Sequence, residues 1–461
     1  MKSFPPYRVQ VVKAIPITTR EEREEALARA GYNMFDLPAN MVTIDLLTDS
    51  GTGAVSAAQE AGAAAADRSY AGSDSWFRFK SALEDLTSFP HLFPVHQGRA
   101  AERILFSTAL KPGQISLSNT HFDTTRANVE LAGAEARDLP CPEAADLDSR
   151  DPFKGNIDLG ALEETLSGPD GSRVGQVLIT ITNNGGGGQP VSMANLKAVR
   201  ALCDRFGVPF FLDAARFAEN SWLITQREDG YAGKTPKEVA QETFALADGF
   251  VASLKKDAIS PMGAAIGVRD EQLAKQCEAI LIATEGFRTY GGLGGHDLER
   301  VAQGLQEVVD PDYLRNRAEE TAHFARLINE AGVDIVQPAG VHGLYLNAGR
   351  LLQHMPPHGF PGHALACELY LAGGIRCAEL GSLYLGTFDD EHNLITPAPF
   401  ELVRLAIPRR TYTLAHLEYV ADVLASIAKN PESVPEYRVT HAPQLLRHFN
   451  LKLRQVPRAV S

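Results

Sequence analysis

Short apolar runs alternate with amphipathic stretches along most of this 461-residue chain. "MVTIDLL", "RILFSTA", "QISLSN", "GQVLITIT", "VPFFLDAA" and "GFVASL" read as strands. "ANLKAVRALCDRFG" and "TPKEVAQETFALAD" carry apolar residues at helical spacing, and the first stops at a glycine suited to a helix C-cap. Such alternation predicts a largely parallel sheet covered by helices. Beyond residue 310 or so the pattern changes. A long helix over "DYLRNRAEETAHFARLINEAG" leads to the strands "VDIVQPAG" and "HGLYLNAG". The helix "HALACELYLAGG", the strand "FELVRLAIP" and the helix "TLAHLEYVADVLASIAKN" follow, a sequence of elements that suits a smaller α+β domain. Residues 1–20 read as an extended arm, and "TREEREEALARAGYN" as a short helix ended by Gly31. The expected division is an arm and part of the small domain over 1–45, a large domain over 46–310 and a small C-terminal domain over 311–461.

Composition narrows the function classes. A chain of this length exceeds one ordinary core, in keeping with two domains. The net charge of −13 argues against general nucleic-acid binding and against an anionic membrane surface, though not against a local basic pocket. Cys141, Cys203, Cys277, Cys367 and Cys377 are scattered without a CxxC pair, as expected of reduced thiols in a cytoplasm. The start has prolines and charges where a signal peptide needs an apolar core, and no apolar run approaches the roughly 20 residues of a membrane span.

Four segments set reactive groups just after apolar runs, where an open α/β sheet binds its ligands. In "VPFFLDAARFAEN", Asp213 follows the strand and Arg216 lies three residues on. The acid suits a helix cap, or a carboxylate that keeps a cofactor's pyridine nitrogen protonated. In "GFVASLKKDA", Lys255 and Lys256 end an apolar run: two solvated lysines, or a Schiff-base amine beside a second cation. In "HQGRAAE", Gln97 and Gly98 open a helix whose N–H groups, with Arg99, make an anion site. The run "TNNGGGGQP" lacks both P-loop and dinucleotide spacing, which leaves close backbone approach to a ligand or a mobile loop. A pyridine partner, a reactive lysine and a phosphate cradle on one sheet are the needs of pyridoxal phosphate. Three weaker signals fall away. "TDSGT" has no second copy to form an aspartic-protease pair, prolines separate His354 from His358, and no GxSxG elbow occurs.

The order and spacing of "IDLLTDSGTGAVS", "YAGS", "HQGRAAE", "FDTT", "GGQPVSMANLKA", "DAARFAEN", "KKDA", "EGFRTYGGL", "ALACELY" and "RLAIPRRTYT" carry a resemblance. The chain resembles the β-eliminating lyases, tryptophanase and tyrosine phenol-lyase, over nearly its whole length. The resemblance implies an α/β pyridoxal-phosphate enzyme of fold type I, aspartate aminotransferase-like, with a mostly parallel seven-stranded sheet and a smaller α+β domain. It implies a homotetramer of two catalytic dimers. Lys256 would hold the cofactor as an aldimine and take the α-proton. Gln97, Gly98, Arg99, Ser253 and Lys255 would lie at the phosphate, Phe122 on the ring and Asp213 at its nitrogen. Asn184 and Arg216 would touch the ring oxygen or the substrate carboxylate, which Arg404 would grip, with Thr48 also on the substrate. Tyr70 would reach across the dimer as a candidate general acid.

The same resemblance bears on the substrate, an aromatic amino acid split by β-elimination. Tyrosine phenol-lyases carry arginine where this chain has Leu380, threonine where it has Asp123 and phenylalanine where it has His448; all three choices point to tryptophan. Cleavage of tyrosine or of S-substituted cysteines is the alternative, and an aminotransferase is favoured by nothing beyond the shared fold. Family members bind potassium through a glutamate where this chain has Arg68, so no metal ligand and no potassium requirement are expected. Three further departures are the glycine-rich loop after Asn184, Ala264 after Gly263, and Gly362–His363 where relatives have Ala-Gln.

Overall fold

The computed structural model describes residues 4–443 and 446–456. The first three residues of the expected arm and the last five of the expected small domain lie outside them. Two compact units are formed. One spans Ser50–Arg317 with residues 4–6, and the other joins Tyr7–Asp49 to the described residues from Ala318 onward.

The first unit is built on a seven-stranded sheet. Its strands are β1 (His91–Val95), β2 (Ile115–Ser118), β3 (Glu135–Asp138), β4 (Val174–Thr180), β5 (Phe210–Asp213), β6 (Gly249–Ser253) and β7 (Ala264–Val268), in the spatial order β1-β7-β6-β5-β4-β2-β3. Strands β3, β2, β4, β5 and β6 pair in parallel, and β7 runs antiparallel to both its neighbours. All seven residues of β4 are buried, as a central strand covered on both faces requires. Pro94, which removes a donor, is tolerated because β1 is an edge strand.

One expected strand is corrected. "RILFSTA" belongs to helix α1 (Gly98–Ala109). Its apolar run is a helical face: Ile104, Leu105 and Phe106 are buried in one cluster with Val95, Val251 and Ile266. The parallel strands therefore end along one edge of the sheet, in Ser118, Thr180, Asp213 and Ser253. There follow α2 (Asp123–Leu131), the glycine-rich loop, α3 (Phe217–Arg227) and the two lysines.

The second unit holds a three-stranded antiparallel sheet of β8 (Gly343–Asn347), β9 (Ala378–Leu380) and β10 (Leu402–Ala406), with β10 in the middle. Ile44–Asp45 pairs in parallel with Ile375–Arg376, so residues near the N-terminus complete this unit. Helix α4 (Pro361–Gly373) and Leu414–Ala428 cover it, and Leu27, Leu46, Phe324, Leu365, Tyr370, Val403 and Leu424 form its core. "VDIVQPAG" contributes only an isolated bridge from Ile335 to Leu346, not a full strand.

Candidate active site

The strand-end edge of the first unit collects most of the predicted residues. Helix α1 begins at Gly98, and its N-cap Gln97 contributes no side-chain hydrogen bond, so the first N–H groups are left to the solvent side or to a ligand. A Cβ on Gly98 would stand 3.0 Å from the Ser253 Cβ, a close approach that only glycine allows comfortably. Arg99 is exposed at this helix start. Desolvation, and then the charge of Arg99, lower the Lys255 ammonium below the ordinary lysine value. Two cations, a hydroxyl and a helix N-terminus thus face one small region, the donor set of an anion site.

Asp213 ends β5 and is buried. Burial raises its carboxyl above the ordinary range, opposed by the positive charges of Lys256 and Arg216 and by the Ala215 N–H. Lys256 is therefore close enough to Asp213 for charge interaction. Arg216 is buried, and its N–H donates 3.1 Å to the Ile181 carbonyl. The glycine-rich loop after buried Asn184 is a closed turn. Asn183 bridges to Gln189, and its Oδ1 accepts the Gly186 N–H at 2.9 Å.

Phe122 and Asp123 open α2, and a buried network fixes their approach. Asp138 Oδ1 accepts from the His121 N–H at 2.8 Å and lies 2.6 Å from His121 Nδ1, while His121 Nε2 lies 2.9 Å from Ser116 Oγ. The geometry imitates a Ser–His–Asp triad, but Ser116 is fully buried and accepts from Gln176 Nε2 at 3.0 Å. Its role here is to hold the turn before Phe122. Glu102, on α1, accepts from Thr125 Oγ1 at 2.7 Å and ties α1 to α2. Burial, then Asp213, push its carboxyl up to about 7.

Sequence reasoning passed over Asp257, which is 1% exposed. Its Oδ2 accepts the Ala218 N–H at 2.8 Å and the Glu219 N–H at 3.4 Å, capping α3 from another strand end. The signal was present: an acid directly after two lysines in an otherwise apolar setting.

Tyr70 is not brought into this group. It is 72% exposed, stacked on Phe287 at 5.8 Å and edge-on to Tyr290 at 5.5 Å, and its hydrogen bond with Tyr290 raises its phenol. Arg68, nearby in the chain, is exposed.

The remaining predicted residues belong to the second unit and form two neighbourhoods. Arg404, in the middle of β10, donates to the Leu47 carbonyl at 3.1 Å, which sets it beside Thr48. The next residue, Asp49, pairs with Arg409 at 2.9 Å, both side chains 1% exposed. Leu380 ends β9 and is buried. His448 packs its ring on Tyr384 at 4.4 Å and lies 6.0 Å from Phe35. Among the described residues no group of three or more His, Cys, Asp or Glu is arranged to hold a metal ion, and no helix is long and apolar enough to cross a membrane.

The family model for β-eliminating lyases matches residues 45–423. The chain belongs to the β-eliminating lyase family. It is 47% identical over 444 residues to a tryptophanase of Hyphomonas neptunium, covering 96% of this chain and 97% of that one. It is 49% identical over 456 residues to a tryptophanase of Salinibacter ruber, covering 99% and 96%. Among solved structures, the threonine aldolase of Leishmania major superposes with a TM-score of 0.58 at 14% identity, covering 84% of this chain and 99% of that one. The lyase has the α/β architecture of fold type I, with a mostly parallel seven-stranded sheet and a smaller α+β unit.

Proposed function

We propose that this lyase uses pyridoxal phosphate to split L-tryptophan into indole, pyruvate and ammonia. The observation that carries the reading is buried Asp213, under the charge of Lys256 and Arg216, on the same sheet edge as the Arg99–Ser253–Lys255 anion site. That donor set fits the cofactor: cations, a hydroxyl and a helix N-terminus suit a phosphate, and a buried carboxylate suits a pyridinium. When bound, the cofactor supplies an aldehyde that condenses with amines and a cationic ring that stabilises negative charge at the substrate Cα.

The chain's own residues then have the following work. Gln97, Gly98, Arg99, Ser253 and Lys255 hold the phosphate, and Phe122 covers the ring. Asp213 keeps a proton on the ring nitrogen. Lys256 Nζ is the attachment amine and the base that takes the α-proton. Arg404 holds the substrate carboxylate as a bidentate pair, assisted by Thr48, and Asn184 and Arg216 touch the ring oxygen or that carboxylate. Tyr70 delivers a proton to the leaving ring from a neighbouring copy in a tetramer of two catalytic dimers.

Asp123, His448 and Leu380 favour indole as the leaving group. Asp123 accepts an indole N–H, His448 assists proton transfer, and Leu380 offers a flat apolar wall with no cation for a phenol oxygen. The relatives named tryptophanase support the same choice. Purified enzyme offered tryptophan, tyrosine and S-substituted cysteines is expected to release pyruvate fastest from tryptophan, with indole in equal amount and no keto-acid acceptor. Pyruvate from tyrosine but not from tryptophan would overturn the assignment.

A further inference from the structure

Leu380 is held by two acids that the proposed chemistry does not use. Glu379 precedes it in β9, and Glu401 lies just before β10, the strand paired with β9. A Cβ on Gly381 would collide with Glu401 Oε2 and stand 2.8 Å from Glu379 Oε1, so the two carboxyls face each other across a residue with no side chain. Both reach the same turn. Glu379 Oε1 accepts the Gly381 N–H at 2.6 Å and the Leu383 N–H at 3.1 Å. Glu401 Oε1 accepts the Ser382 N–H at 3.1 Å and the Ser382 hydroxyl, whose oxygen in turn accepts the Ala398 N–H at 3.0 Å.

Among the described residues, one positive charge is in electrostatic contact with Glu379. Arg447, from the turn that carries His448, faces Glu379 and donates to the Leu383 and Gly386 carbonyls. Helix α4 offers Glu401 only the Gly362 N–H, for its His363 is turned to Cys367 at 3.3 Å and to the Tyr437 ring at 5.3 Å. Arg350, on the neighbouring segment, is engaged with Asp334 at 3.2 Å. Tyr384 belongs to the clamped turn itself and packs on His448. One cation cannot balance two adjacent carboxylates, so their ionisations are coupled.

We propose that Glu379 and Glu401 share one proton at neutral pH and act as positioning residues that hold the Leu380–Tyr384 turn in its substrate-binding form. The pair is thereby a specificity determinant for the leaving group, an inference that rests on the proposed placing of Leu380 and His448 at that group. Burial, then Glu401, push the Glu379 carboxyl up to about 8. Loss of the shared proton at alkaline pH sets two anions against each other across Gly381 and pushes the end of β9 away from its place. The departure at Gly362 belongs to the same arrangement, because a Cβ there would stand 2.9 Å from Glu379 Cγ.

The test compares holoenzyme with Glu379→Gln and Glu401→Gln, each of which fixes one partner neutral while keeping an acceptor oxygen. Infrared difference spectra taken on either side of pH 8 read the pair without any substrate. Wild type is expected to lose a neutral-carboxyl stretch as pH rises that is missing from the same difference spectra of both variants, which sets it apart from the Glu102 carboxyl common to all three proteins. In parallel, KM for tryptophan is expected to rise about fivefold or more across that interval in wild type, with kcat less affected, and to stay flat in the variants. Absence from wild type of a titrating carboxyl stretch that the variants lack, or variants whose KM follows the wild-type curve, would overturn the inference. Failure of the enzyme to turn over any aromatic amino acid would refute the assigned substrate instead, and the infrared result would still decide whether the pair exists.

Discussion

Replacing Asp257 with alanine removes the carboxylate that caps α3 and leaves the Ala218 N–H, now bonded at 2.8 Å, without that acceptor in a buried site. Arg216, the N-cap residue of α3, makes no side-chain cap hydrogen bond that could take over. A lost cap costs about 1 kcal/mol, and a buried donor left unsatisfied costs up to ~3 kcal/mol. These describe the same interaction and do not add, so we expect a loss of about 2 kcal/mol. For a unit of this size that corresponds to a fall in Tm of roughly 4–8 °C, measured at fixed protein and cofactor concentration because assembly and binding shift the midpoint. The effect on activity exceeds the effect on stability. Asp257 sits one residue after Lys256 and bonds to the helix that follows Asp213 and Arg216, so it fixes the distance between the amine and the acid. Small displacements of a reacting group cost up to about 100-fold in rate. We expect kcat to fall at least tenfold while KM changes little, with Asp257→Asn, which keeps an acceptor oxygen, intermediate in both measurements. An alanine variant with wild-type kcat, or an asparagine variant indistinguishable from alanine, would refute the reasoning.

Two further outcomes follow from charges elsewhere in the chain. Asp49→Ala removes the carboxylate paired with the Arg409 guanidinium, 1% exposed, and is expected to cost about 3–5 kcal/mol in urea unfolding, whereas exposed Arg350 paired with Asp334 should yield under ~1 kcal/mol on truncation. On the resemblance that sets Arg68 at the position of a glutamate ligand, we expect equal turnover in potassium and tetramethylammonium buffers, with potassium activation appearing in Arg68→Glu; a strong potassium requirement in wild type would contradict it.

The alkaline behaviour of stability follows from Glu379 with a definite sign. Its carboxyl is raised in the folded chain from the ordinary 4.5 to about 8, so the folded state binds the proton more tightly than the unfolded one. The contribution is fully present below about pH 4.5 and is lost as pH rises towards 8. Glu379→Gln should flatten that part of the Tm–pH curve.

What could be read from the chain depended on whether a residue's role shows in its own neighbours along the sequence. Strands β4, β5 and β6 were legible because central parallel strands are mostly apolar, and Asp213, Lys255 and Lys256 stand out at their ends. Strands β1, β3 and β7 were not picked out. Pro94 interrupts β1, β3 is the polar edge segment "EARD", and β7 is made mostly of small residues. "RILFSTA" misled because three consecutive apolar residues on a helix and on a buried strand look alike over so short a window.

The residues that escaped notice share a different feature: they act on backbone. Asp257, Glu379 and Glu401 accept N–H groups from segments 19–39 positions away or from their own turn, and even where the acid stands out locally, as Asp257 does, nothing beside it in the sequence marks the partner. Yet these bonds decide how well the legible residues are held. Gly98 meets Ser253, although 155 positions separate them, because β7 lies between β1 and β6 and aligns their ends on one edge. Asp257 then bonds the loop after β6 to the helix after β5, so the amine and the acid move as one body. The chemistry of such a site is written in residue types at strand ends, while its precision is written in buried acids that neutralise neighbouring N–H groups. Substitutions among the first kind should abolish activity, whereas substitutions among the second should grade it, changing KM or kcat separately according to which turn is released.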